Sequence, residues 1–150
     1  MTDPLYLDDL RVGQRFVSGS HLLDEAAIIS FAREFDPQPF HLDVDAARHS
    51  VFQGLVASGW HTAAITMRLL VEGEMRIAGG LIGLGGEAQW PNPTRPGDIL
   101  QVHSEVIDVT PSRSRPDRGI VRLRSETRNQ RADILQILDA KLLVPRQPGT

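Results

Sequence analysis

Apolar and polar positions follow two different periods along this chain. Between Glu25 and Glu34, the residues Ala27, Ile28, Phe31 and Ala32 fall at i, i+1, i+4 and i+5, one face of a helix, and Asp24 ahead of them is a good N-cap. Asp36-Pro37 breaks that helix, because a residue before proline is pushed out of the helical region. Asp43 to His49 fits a short helix capped by Asp43. Gly59 to Val71 is the longest helical run. Its residues Ala63, Ala64, Met67, Leu70 and Val71 repeat every three or four positions, and Trp60 extends the same face. Few charges interrupt the run, which predicts a largely buried helix with that stripe turned inward.

After this helix the period shortens. Leu81 to Trp90, Ile99 to Val109, Gly119 to Asn129 and Asp133 to Val144 read as strands. Pro91-Asn92-Pro93, Arg95-Pro96-Gly97-Asp98, Thr110 to Gly119 and Gln130-Arg131 punctuate them. A further strand is expected at Gln14 to Ser18, after a turn at Val12-Gly13. Consecutive strands beside one buried helix bury both best as an α+β arrangement, an antiparallel sheet wrapped round the helix. No repeat or linker divides the chain, so one domain is expected over residues 1–150, with a loose tail from about residue 147.

Composition narrows the function classes. With 150 residues and 41% hydrophobic content, the chain can bury a real core. No apolar run reaches the roughly 18 residues of a membrane span. The start, MTDPLYLDDL, lacks the basic-then-apolar layout of a signal peptide, so a cytoplasmic location is expected. The absence of cysteine excludes disulfides and thiolate metal sites. His21, His49 and His103 share no ligand spacing, so no metal site is expected. A net charge of -3 argues against a nucleic-acid partner.

Candidate chemistry concentrates in FDPQPFHLD, Phe35 to Asp43. Asp36 and His41 stand five residues apart with Pro37 and Pro39 between them. Prolines suit neither a helix interior nor a central strand, so the two proton-handling groups are expected on a stiff loop. Taken alone, Asp36 also fits an Asx-turn, and His41 a satisfied loop histidine.

The segment Asp36-Pro-Gln-Pro-Phe-His41 resembles the Asp-x-Asn-Pro-Leu-His signature of the MaoC-like dehydratases and (R)-specific enoyl-CoA hydratases. Val56-Ala-Ser-Gly59 resembles the segment that opens that family's central helix, and Trp90 to Asp98 its strand-to-strand turn. The likeness runs from about Leu10 to Val144. It departs at Gln38, where the family has Asn, and at Ala64, where it has Ser; Thr62 is the candidate substitute. The resemblance implies a hotdog fold, usually a homodimer or a dimer of dimers, and an acyl-CoA or acyl-carrier thioester as substrate.

It also implies roles. Asp36 would be the base that takes a proton from water, and His41 would orient that water. A backbone N–H at Gly59, at a helix N-terminus, would stabilise the thioester oxyanion. Ser58, Trp60 and Thr62 are candidate substrate contacts. Arg113 and Arg115, in a basic loop that reads ordinarily as a solvated one, would meet the phosphates of coenzyme A. Coenzyme A is then part of the substrate, and no separate cofactor is expected. Trp90 is expected to pack at the sheet edge or a dimer contact. Two other functions share the fold: thioester hydrolysis, and acyl-CoA binding by a non-catalytic subunit.

Overall fold

The computed structural model describes residues 3–149. After a 3₁₀ turn at Leu7–Asp9, the elements run β1 (Arg15–Leu22), α1 (Glu25–Phe35), α2 (Pro39–Leu42), α3 (Val44–Arg48), α4 (Gly59–Glu72), β2 (Ile82–Gln89), β3 (Ile99–Pro111), β4 (Arg118–Arg128) and β5 (Ile134–Pro145). The strands form one sheet in the order β1-β3-β4-β5-β2, with every neighbouring pair antiparallel. Even-numbered residues of β3 from Leu100 to Val106, and odd-numbered residues of β4, such as Val121 and Leu123, are buried. The apolar ones form one core with Ile65 and Leu69 of α4, so the sheet lies against this helix as the strand pattern predicts.

Three local outcomes differ from the sequence reading. β1 continues four residues past Ser18, to Leu22. A register shift between Val17 and Ser20 interrupts its pairing with β3 where the shorter reading stopped. The proline-rich stretch is not simply a loop: Pro39 opens the one-turn helix α2, because proline lacks only an N–H that the first helical position leaves free anyway. His41 therefore sits on helical backbone.

The third difference is the orientation of α4. Its buried residues are His61, Thr62, Ile65, Thr66, Leu69 and Leu70. Trp60, Ala64, Met67 and Val71 face outward, and Trp60 is 64% exposed. The inward hydroxyls all have partners: Thr62 meets Thr94 at 2.9 Å, and Thr66 meets Thr127 at 2.6 Å while donating to the Thr62 carbonyl at 2.8 Å. A threonine with its hydrogen bonds satisfied is buried without penalty, so apolarity alone misjudged which face points in.

The caps place the site. Asp24 accepts from the Ala27 amide at 2.8 Å and starts α1 as expected. Asp43 accepts from the amides of Asp45 and Ala46 and starts α3. The turn between β2 and β3 is tied to the approach to α4 by the Ala57 amide, which donates to the Thr94 carbonyl at 2.8 Å. Asp98, almost fully buried, holds that turn by accepting from the Arg95 amide at 2.9 Å and from Arg131 at 3.0 Å. The end of α1, the helix α2 and the start of α4 consequently converge at one end of the sheet.

Candidate active site

Asp36 is the C-cap of α1, its amide donating to the Ala32 carbonyl at 2.9 Å. His41 lies five residues further on, in α2, and is buried. The two side chains meet, with His41 Nε2 3.3 Å from Asp36 Oδ2. The other ring nitrogen, Nδ1, lies 2.6 Å from the Val56 carbonyl oxygen. A carbonyl can only accept, so this contact assigns the proton to Nδ1. In the neutral ring, Nε2 is then a lone pair beside a carboxylate. Two acceptors cannot bond each other, but both can accept from one water. The pair is thus arranged to hold a water by its two protons.

The Asp36 carboxyl is held from a second side. Gln38 Nε2 donates to Oδ1 at 2.5 Å. Burial pulls this carboxyl upward, but hydrogen bonds from Gln38 and Ser58, with His41 close by, outweigh that pull and hold its pKa below the ordinary value. Gln38, where the sequence departs from the family signature, therefore works on Asp36 directly. The signal in the sequence was its i+2 position inside the motif; its direction was not legible there. Because a donor favours the charged form, Gln38→Ala is expected to raise the Asp36 pKa. The acid limb of kcat/KM should then move to higher pH. Wild-type and Gln38→Ala profiles that superimpose between about pH 4 and 7 would contradict this role.

Ser58 is the N-cap of α4 and accepts from the Trp60 amide at 3.2 Å. The amides of His61 and Thr62 donate to the Ser58 carbonyl. This leaves the Gly59 N–H without an acceptor among the described residues. A free amide at a helix N-terminus carries the partial positive charge that stabilises a developing oxyanion. Ser58, which also bonds the Asp36 carboxyl, thus brings the start of α4 beside the Asp36–His41 pair, while the outward Trp60 ring packs edge-on against Trp90 with centroids 5.5 Å apart.

The remaining candidates lie elsewhere. Thr62 is 1% exposed and bonded to Thr94, so it is a core residue and not a substrate contact. Arg113 and Arg115 stand in the β3–β4 hairpin. The 13 residues of β3 separate that hairpin from the Pro91–Asp98 turn, roughly 40 Å of strand. Within one chain, these arginines and the Asp36–His41 pair are at opposite ends of the sheet. His61 packs flat on Phe31, with centroids 4.4 Å apart, and burial pushes its pKa down, so it joins α1 to α4 as a neutral ring. A cavity of about 440 Å³ opens on the outer sheet face, but its Arg15 and Arg128 are already paired with Glu105 and Glu126.

Comparison with known proteins places the fold in a family. The MaoC-like domain family matches residues 11–129. A MaoC-like dehydratase from Rhodospirillum rubrum, of known structure, is 60% identical, with a TM-score of 0.95 over 97% of this chain and 99% of that one. The (R)-hydratase PhaJ1 from Pseudomonas aeruginosa is 25% identical, with a TM-score of 0.76 over 96% of this chain and 88% of that one. A 3-hydroxybutyryl-CoA dehydratase from Methylorubrum extorquens is 30% identical over 117 residues, 74% of this chain and 69% of the relative.

Proposed function

The chain belongs to the MaoC-like family and has its hotdog fold, and on that premise we propose that it interconverts trans-2-enoyl and (R)-3-hydroxyacyl thioesters by adding or removing water. The observation that carries this reading is the convergence of Asp36 and His41 at 3.3 Å, with Nδ1 bound to Val56 and two acceptors left for one water.

In the hydration direction, that water bridges Oδ2 and Nε2 from the open side of the pair, and its oxygen attacks C3 of the enoyl group. One water proton passes to the Asp36–His41 pair as the C3–O bond forms. The C2–C3 π electrons move toward the thioester, and the charge gathers on its oxygen. The Gly59 amide donates to that oxygen, and Ser58 and Trp60 border it. The proton held by the pair is then available to C2, so the net change is the elements of one water. The carboxylate form of Asp36 begins the step, and its lowered pKa keeps that form dominant at neutral pH. Coenzyme A or an acyl carrier enters as part of the substrate, and the step uses no separate cofactor.

The direct assay is crotonyl-CoA with the full chain, followed by loss of enoyl absorbance and, in parallel, by free thiol. Absorbance loss without thiol release is expected. Thiol release at the same rate would make the protein a thioesterase, and binding without either change would make it an acyl-CoA-binding subunit.

A homodimer completes this reading. The outward stripe of α4 leaves Met67 46% exposed, and the edge strand β2 leaves Ile82 and Leu84 exposed. Exposed apolar side chains and an unpaired strand edge fit a two-fold partner. Met67→Glu is expected to shift the protein from dimer to monomer in sedimentation equilibrium. A wild-type protein that is monomeric at micromolar concentration would overturn the dimer.

A further inference from the structure

Gly59 has an ordinary backbone conformation, so a positive φ is not the reason for its lack of a side chain. The reason is a neighbour. A Cβ on Gly59 would lie 2.8 Å from Cε2 of Trp90, 3.0 Å from Cδ2 and 3.1 Å from Cζ2. The Trp90 ring therefore rests directly on the Cα of the residue whose amide is free. The indole is also tethered: its Nε1–H donates to Gln136 Oε1 at 2.9 Å. Gln136 is fully buried and donates onward to Thr66 at 3.2 Å, and Thr66 is bonded to Thr127. This chain of hydrogen bonds runs from the mouth of the site into the core beneath α4. It gives the ring one position, and that position sets the first turn of the helix. With its only polar atom engaged, the indole offers the site an apolar wall, and the Gly59 amide is the donor left beside it.

We propose that Trp90 is a positioning residue for the reaction: tethered to Gln136 and seated on Gly59, it fixes the first turn of α4 so that the Gly59 amide meets the thioester oxygen. The inference rests on the oxyanion role given to Gly59 above. It differs from the edge-packing role expected of Trp90 because it acts on the transition state. Trp90→Ala should lower kcat about a hundredfold, the scale of a displacement near 1 Å at a reacting group, with KM changed less than about threefold. Trp90→Phe keeps a ring over Gly59 without the tether and should lose about tenfold. Gln136→Met, which removes the tether alone, should resemble Trp90→Phe.

The decisive readout is the carbonyl stretch of thioester-labelled [13C]crotonyl-CoA bound to the inactive Asp36→Asn full chain, measured by difference infrared spectroscopy. A shift to lower frequency on binding is expected, and adding Trp90→Ala or Trp90→Phe should reduce it. If the shift is present and both Trp90 variants retain it, Trp90 does not position the amide and the inference falls. If no shift occurs even with Trp90 intact, the Gly59 reading falls and this inference with it. A lower melting temperature with unchanged kcat in Trp90→Phe and Gln136→Met would make Trp90 purely structural.

Discussion

Asp36→Asn is expected to lower kcat for crotonyl-CoA hydration by about 10³ to 10⁴, the upper range for loss of a general base. Asparagine has nearly the shape of aspartate, and its carbonyl can still accept from Gln38. The cap of α1 is also retained, since it is made by the backbone amide of residue 36. What disappears is the carboxylate that receives the water proton. The melting temperature should therefore stay close to wild type while turnover collapses, a combination that separates chemistry from folding. Measured by enoyl absorbance beside a thermal melt, activity within about tenfold of wild type would remove Asp36 as the base.

His41→Ala should cost about 10² to 10³ in kcat, and here stability falls too. The ring is buried, lies edge-on to Phe40 with centroids 4.6 Å apart, and donates to the Val56 carbonyl. Removing it leaves a gap and a carbonyl without its donor, a loss of about 1 to 3 kcal/mol. His41→Asn distinguishes the two effects, because its amide can replace Nδ1–H at Val56 but presents nothing in place of Nε2. It should regain stability without regaining rate. The pair acts on one water, so Asp36→Asn combined with His41→Ala should be little worse than the weaker single variant. Fully additive losses would mean that the two residues serve separate steps.

Much of this was legible in the sequence because it is written in short range. The Asp24 and Asp43 caps depend on residues two or three positions away, and the four later strands depend on runs bounded by Pro and Gly. The Asp36–His41 spacing likewise keeps the two groups five residues apart, across the break between α1 and α2. Less legible were features that need a distant partner. No local pattern says that Thr62 and Thr66 turn inward, since their burial depends on Thr94 and Thr127. Nor does any local signal show Arg113 and Arg115 at the far end of β3 from the site, because that depends on how the strands are ordered.

The sequence by itself thus determined the elements and the α+β class, since propensity, capping and turn chemistry act over a few positions, and its family resemblance singled out Asp36 and His41. Only the tertiary structure decided the rest. It showed which face of α4 is buried, it assigned the His41 proton through the Val56 carbonyl, and it explained Gly59 by the ring of Trp90, 31 positions along the chain. Those outcomes turn on whether a buried polar atom finds its partner and whether two groups compete for the same space. Both are settled by contacts that exist only once the sheet has closed over the helix.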